Sequence, residues 1–497
     1  MQAYIKEQWF KNPIPNLLSG VVVALALIPE ALSFSIIAGL DPMAGLYASV
    51  IIAIVMAFIG GRTALISAAT GAIALLVVPL VKDYGINYLL AATILMGIIQ
   101  LILGILRVGR LMRFIPNAVM VGFVDALAIL IFHSQFPYLT NQSWLTYVFV
   151  AASIAIVYLL PKLTRAIPAP LVAVVVLTAI TMVSGVHLQT VGDLGHITAA
   201  LPHFEVPKVP FTLETLSIIW PYSLSMALVG LMETLLTAKL VDDITDTTSS
   251  KDQEARGQGI ANIIQSFFGG MGGSAMIGQT MINVTSGART RLSTFTAGAF
   301  LMILIIGFAP QVSQIPMAVL AGIMIMVAIG TFDWQSFAYL KKVPWGERLV
   351  TILVVVIVVL TNNLAIGVAV GTLLGAIFFA KRISDIKVKQ QVTGDQITYF
   401  IKGQIFFAST DGLSRQIDLH TENKQITLDF AAAHVWDESA VNTLDKLVMK
   451  LHDKGNHVTI ANLNEASLTL SKQLATEMHD VEHVWTTESQ KHVTPFD

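Results

Sequence analysis

Apolar stretches long enough to cross a lipid bilayer recur along this chain from Leu17 to Phe379, and they dictate its fold class. A helix needs about 20 apolar residues to span the hydrocarbon core of a bilayer. Backbone N–H and C=O groups find no water there, so such stretches fold as helices that satisfy their own hydrogen bonds. They are too numerous to fill one buried core. Charged residues make up only 12% of the 497 residues, about half the share usual in a soluble domain. The chain therefore reads as an α-helical polytopic membrane protein. Lys6, Glu7, Trp9 and Lys11 precede the first span and no small-residue cleavage site follows it, so no signal peptide is expected. Without cysteine, disulfides and thiolate metal sites are excluded.

The C-terminal part has a different composition. From Thr393 to Asp497 lie 15 of the 32 acidic residues and 8 of the 30 basic ones, and apolar runs are short. Ile397–Ile401, Ile405–Phe407, Ile426–Phe430 and Val458–Ile460 read as strands. Within Glu438–Leu451, Val441, Leu444, Leu447, Val448 and Leu451 share one helical face. The expectation is a membrane domain over residues 1–390 and a small α/β domain over 393–497, joined through the Lys381–Lys389 region.

Orientation follows from the basic residues. Spans are expected near 16–39, 42–60, 64–81, 88–106, 112–137, 144–160, 168–184, 214–238, 257–269, 276–287, 293–309, 316–331, 348–361 and 364–380. With the N-terminus in the cytoplasm, 20 Lys and Arg of the membrane part fall inside, among them Arg62, Arg110, Arg113, Arg165, Lys251 and Arg289. Only Lys82 and Lys208 fall outside. That bias matches the positive-inside rule and places both termini in the cytoplasm, in a cell (plasma) membrane. Asp242, Asp243, Asp246, Asp252 and Glu254 then read as the solvated acidic face of a cytoplasmic loop.

Two segments are short and rich in small and polar residues. The third contains Ala64-Leu-Ile-Ser-Ala-Ala-Thr70-Gly71, and the tenth runs from Gly269 through Gly278-Gln279-Thr280 to Asn283. They occupy corresponding positions in two halves of seven spans, the best sequence pointer to a transporter's substrate site. Close helix packing accounts for the glycines alone; the paired positions favour a site. Each half-helix start offers free N–H groups and about half an elementary charge to an anion. Span 8 adds Glu233 inside Ser217–Thr237. A carboxylate at bilayer depth costs roughly 3 kcal/mol on insertion scales and normally faces a cavity or ion path; neutralisation by a local hydrogen bond is the alternative.

The chain resembles the SulP family of anion transporters, relatives of the sulfate permeases and of prestin. The matching residues are Pro29–Phe34, Pro42–Tyr47, Gly60-Gly-Arg62, Glu233–Thr237, Gly257–Asn262, Phe268–Gly270 and Gln279–Asn283, with Trp436–Ala440 resembling part of a STAS domain. The resemblance implies the uracil-permease type of fold: two inverted seven-segment repeats, with spans 1–4 and 8–11 as core and spans 5–7 and 12–14 as gate. It also implies a homodimer and an anion site between the starts of segments 3 and 10, lined by Glu30, Phe34, Thr70, Gly71, Gly278, Gln279 and Thr280. Exchangers of the family usually carry arginine where this chain has Gln279. Cation-coupled members carry an acid at Glu233, followed by a threonine matching Thr237. Missing arginine and present acid point to a secondary active symporter of a small inorganic or organic anion (sulfate, bicarbonate or dicarboxylate). A proton or sodium ion travels with it, since neutralising Glu233 removes its repulsion of the anion. An anion exchanger or channel of the same fold is the other reading. No enzyme motif, resident cofactor, metal site or nucleic-acid partner is expected. Asp125 reads as a structural hydrogen-bonding group and His133 as interfacial. Ser439 matches the phosphorylated serine of anti-sigma antagonists, but Asp437 or Ser439 serves equally as a helix cap.

Overall fold

The computed structural model describes residues 2–107, 115–164, 168–195, 199–361 and 363–475. Arg110, Arg113, Arg165 and the end of the C-terminal domain from 476 onward lie outside the described residues. The chain divides into two compact units, Met1–Thr372 and Leu373–Asp497.

In the first unit the helices and two short strands follow in this order: α1 (Gln2–Trp9), α2 (Pro13–Ile37), α3 (Pro42–Ile59), β1 (Ser67–Ala69), α4 (Gly71–Tyr84), α5 (Ile86–Ile105), α6 (Asn117–His133), α7 (Trp144–Leu163), α8 (Ala169–Ser184), α9 (Leu213–Thr245), α10 (Lys251–Ser266), β2 (Gly273–Ala275), α11 (Ile277–Thr285), α12 (Arg291–Ser313), α13 (Met317–Thr331), α14 (Ser336–Lys342) and α15 (Trp345–Thr361). Helix α16 (Leu364–Ile383) runs from the first unit into the second. Among the described residues nine helices are long and apolar enough to cross a membrane. The chain is an integral membrane protein. Proline opens α2 and α3, where its fixed φ suits a first turn and its missing N–H costs nothing. Asp41 caps α3 by accepting from Met43 N at 2.8 Å. At 33 residues α9 is about 50 Å long, against roughly 30 Å of hydrocarbon. It therefore extends beyond the hydrocarbon, and its C-terminal turns carry the charged Lys239, Asp242 and Asp243.

Two groups of helices pack within the first unit. One contains α2, α3, α5, α9, α10 and α12 together with the short α4 and α11; the other contains α6, α7, α13 and α15. The α5–α10 contact is backbone against backbone. A Cβ added to Gly97 would lie 2.5 Å from Gly259 O, and one added to Gly259 would lie 2.6 Å from Gly97 O. Small residues let membrane helices approach this closely, and packing then drives their association. Asp125 on α6 accepts from Asp333 N at 2.9 Å, the structural role expected for it.

The acidic loop reading fails at Asp252 and Glu254. Helix α10 begins at Lys251, six residues before the expected span, because Ser250 caps it by accepting from Gln253 N at 3.2 Å. Acidic residues in its first turn also suit the helix dipole. Glu254 is fully buried, and its Oε2 accepts from Gly61 N at 2.6 Å and Arg62 N at 2.8 Å. Asp242 lies within α9 and pairs with both Arg62, at 3.2 Å, and Lys251, at 2.5 Å. These groups clamp the turn that follows α3 to the α9–α10 connection.

The second unit contains a four-stranded sheet of β3 (Lys387–Thr393), β4 (Gln396–Ile405), β5 (Gln425–Val435) and β6 (His457–Ala461), in that order. The β3–β4 pair is antiparallel and the other two are parallel. Helices α17 (Thr410–Ser414), α18 (Glu438–His452) and α19 (Glu465–Leu474) complete it. Leu444, Leu447, Val448 and Leu451 of α18 join Tyr399, Ile401, Leu428 and Phe430 in the core. Strand β3 went unexpected because Lys387-Val-Lys-Gln-Gln-Val-Thr393 is a polar, mostly exposed edge. Strand β4 ends at Ile405, so the strand expected over Ile405–Phe407 does not form. Phe407 turns out, 69% exposed, because its N–H is held by Asp437 Oδ2 at 2.8 Å. The other oxygen of Asp437 caps α18 by accepting from Ala440 N at 2.9 Å. Asp437, not Ser439, is thus the cap.

Gly259→Leu drives a side chain into the α5 backbone. Overpacking of this kind costs about 1–3 kcal/mol, so the detergent-solubilised variant should melt several degrees below the parent or lose its monodisperse peak. An unchanged melting temperature would refute the backbone-to-backbone contact.

Candidate functional site

The site is built on β1 and β2, which pair antiparallel with Ser67 opposite Ala275, Ala68 opposite Ser274 and Ala69 opposite Gly273. Two extended segments buried among apolar helices must have their polar backbone satisfied, since each orphan group costs about 1–3 kcal/mol. Each segment is held from several sides. Gly273 N donates to Asn262 Oδ1 at 2.9 Å, while Asn262 Nδ2 and Gln258 Nε2 donate to Gly273 O at 3.1 and 2.9 Å. Ala275 N donates to Thr234 Oγ1 at 3.1 Å. On the β1 side, Ala69 N donates to Ser49 Oγ at 3.2 Å and Ile66 N to Thr280 Oγ1 at 3.0 Å. Asn283 Nδ2 donates to Ala64 O and Thr294 Oγ1 to Leu65 O, at 2.9 and 3.0 Å. A Cβ on Gly273 would sit 2.2 Å from Ala68 O, so the pairing requires glycine there.

Each strand runs straight into a half-helix, β1 into α4 and β2 into α11. Thr70 and Met276 occupy the cap positions, and neither side chain caps its helix. The N–H groups of the first turns have no intrahelical acceptor. Each start thus carries about half an elementary charge. A Cβ at Gly278 would meet nothing within 4 Å, so the α11 start faces open space. Phe34 is buried over the α4 start, where a Cβ on Gly71 would lie 2.8 Å from its ring.

The carboxyl groups lie against this frame. Glu233 is 8% exposed, and its Oε2 accepts from Ser274 Oγ at 2.5 Å. Ser274 Oγ is in turn 2.8 Å from Thr70 Oγ1, whose side chain also lies near the Glu233 carboxyl. Glu233 does have a local hydrogen bond, and it comes from one of the two segments of the site. Glu30, following Pro29 on α2, lies beside the side chain of Gln279. The remaining residues face other partners. Thr280 spends its hydroxyl on Ile66, and Thr237 Oγ1 donates to Glu233 O at 2.7 Å, one turn back on its own helix. Ser274 and Thr234 escaped the sequence reading. Ser274 is the one hydroxyl between Gly273 and Ile277, but only the strand register turns it toward Glu233. An apolar cavity of about 450 Å³ lined by Leu25, Ile28, Leu46, Val174 and Leu304 lies elsewhere and offers an anion almost no donors.

The sulfate permease family model matches residues 14–147 and 138–356, and that of the STAS domain matches residues 386–490. The chain belongs to the sulfate permease family. It is 52% identical over 472 residues to the putative sulfate transporter YbaR of Bacillus subtilis strain 168, covering 95% of this chain and 99% of that protein. It is 26% identical over 426 residues to the bicarbonate transporter BicA of a Picosynechococcus species, covering 77% and 73% of the two chains. Among solved structures, the transmembrane domain of a cyanobacterial BicA superposes with a TM-score of 0.65 at 28% identity, over 72% of this chain and 98% of that one. The murine Slc26a9 anion transporter in its inward-facing state gives 0.81 at 17% identity, over 94% and 88%, a likeness of fold. This sulfate permease family member is a membrane transporter and not an enzyme.

The Glu30–Gln279 pair changes what an arginine at 279 would do. In Gln279→Arg the new guanidinium meets Glu30 and forms an ion pair, so sulfate or bicarbonate affinity should change little. Adding Glu30→Gln frees the charge, and a charge-assisted hydrogen bond should then tighten binding about tenfold. Equilibrium binding to the single and double variants measures this; equal tightening in both would show that Glu30 does not face position 279.

Proposed function

We propose that this protein is a secondary active transporter of small oxyanions, with sulfate and bicarbonate the leading substrates, working by symport with a proton or sodium ion. The single observation that carries this reading is the placement of Glu233, joined to the start of α4 through the hydroxyls of Ser274 and Thr70. An ionised carboxylate there opposes an anion held by two half-helix starts, whose combined charge is only about one elementary charge. Neutralising Glu233 removes the opposition, so anion and cation bind cooperatively, and by linkage each raises the other's affinity equally. The names of the relatives support the substrate class. Gln279 in place of arginine supports coupling over exchange, because no fixed charge replaces the one the cation supplies.

The transport cycle in this reading is alternating access. The group containing α4, α9 and α11 carries the anion as the core, and the group containing α6, α7, α13 and α15 serves as the gate. The fourteen segments, both termini in the cytoplasm and a homodimer belong to the same reading; the distribution of basic residues supports the orientation.

Glu233→Gln mimics the neutral state. In proteoliposomes with imposed proton and sodium gradients it should bind sulfate or bicarbonate but lose uphill accumulation driven by either cation. Concentrative uptake at the parent level would contradict cation coupling through Glu233. Rapid conductance indifferent to cation gradients in the parent protein would instead favour a channel.

A further inference from the structure

Glu233 and the start of α4 are joined by two hydroxyls, and a chain of hydroxyls has a direction. Ser274 Oγ donates to Glu233 Oε2 at 2.5 Å, and Thr70 Oγ1 lies 2.8 Å from Ser274 Oγ. Both side chains are at most 1% exposed. A hydroxyl has one proton to donate and two lone pairs to accept with. While Glu233 is ionised, Ser274 must give its proton to the carboxylate and can only accept from Thr70. Thr70 then presents lone pairs to the α4 start. Once Glu233 is protonated, its O–H donates to Ser274, Ser274 turns its proton to Thr70, and the proton of Thr70 is free to point at an anion. A sodium ion taking lone pairs of Glu233 and Ser274 produces the same reversal.

We infer that Ser274 is a positioning residue that relays the state of Glu233 to Thr70, so that cation binding converts Thr70 from an acceptor into a hydrogen-bond donor for the anion. This rests on the coupling reading above and says how the coupling reaches the anion. Two observations set the pair apart from ordinary packing. Thr70 stands at the cap position of α4 yet makes no cap bond to its own helix. Strand β2 is held without the Ser274 side chain, by Asn262 on Gly273 and by Thr234 on Ala275. Removing the hydroxyl therefore breaks the relay and leaves the strand in place.

Apart from Glu30, the charged residues around Glu233 sit toward helix ends, those of α9 itself being Glu214, Lys239, Asp242 and Asp243. Helices α4, α5, α10 and α11 and strand β2 pack on α9. Of these, α5, α11 and β2 carry no charged residue. The charges of α4, Lys82 and Asp83, sit in its last turn, and those of α10, Lys251, Asp252, Glu254 and Arg256, lie in its first two turns. Tyr84 and Tyr88 are the further titratable groups, at the far end of α4 and the start of α5. Glu30, beside Gln279, is the other ionisable group of the candidate site.

The test is equilibrium binding of sulfate and of bicarbonate to the full-length protein. Affinity is measured at acid and alkaline pH at fixed sodium, and with and without sodium at fixed pH. The ratio of cation-loaded to cation-free affinity is the readout. Glu233→Gln should bring it near one. Ser274→Ala should shrink it about tenfold, the worth of one charge-assisted hydrogen bond. Thr70→Val should do the same, while Ser274→Thr and Thr70→Ser, which keep the hydroxyls, should restore it. The relay is overturned if Ser274→Ala keeps the parent ratio while Glu233→Gln abolishes it, since charge repulsion alone then suffices. It is also overturned if Ser274→Ala weakens both affinities equally, the mark of a structural role. A parent ratio of one, or one that survives Glu233→Gln, instead defeats the coupling reading and takes the relay with it.

Discussion

Backbone that leaves the helix at bilayer depth must find hydrogen bonds within the protein, and the membrane unit is organised around that requirement. Strands β1 and β2 satisfy part of it by pairing with each other. The rest comes from Ser49, Thr234, Gln258, Asn262, Thr280, Asn283 and Thr294 on five surrounding helices. Several of the motifs that carry the family resemblance thereby acquire a physical role. Gln258 and Asn262 hold Gly273, Asn283 holds the residues before β1, and Gly97 and Gly259 bring α5 and α10 together behind them. The Gly60-Gly-Arg62 turn is fixed to α10 by Glu254 and to α12 by Arg291, whose Nη2 donates to Gly60 O at 2.7 Å.

Holding the strands this way leaves both following helix starts without side-chain caps, so the frame creates the donors that suit an anion. It also brings Thr70, Ser274 and Glu233 into one hydrogen-bonded line. The same construction therefore provides attraction for an anion and an acid able to oppose it. In the symport proposed above, which of the two prevails depends on whether a cation has neutralised the acid.

Much of this was legible in the sequence because bilayer physics is strict. Span-length apolar runs, the two short polar segments and Glu233 each stand out against their surroundings. What remained hidden depended on tertiary register. Ser274 turns toward Glu233 only because Ala68 faces it across the strand pair. Glu30 and Gln279, neighbours in the fold, are far apart in the chain. Glu254 looked like one acid of a solvated loop, yet two backbone N–H groups from a distant turn bury it. Strand β3 was masked by its polar composition, which suits an exposed sheet edge.

The proposed transport site depends on where the anion sits. Crystals of the full-length protein soaked in selenate, an anomalous scatterer with the shape of sulfate, would locate it directly, with bromide as a second probe. The anomalous peak should lie between the starts of α4 and α11, about 3 Å from first-turn N–H groups near Gly71 and Gly278. A peak in the apolar cavity beside Leu25 and Val174, or elsewhere with both helix starts empty, would contradict it.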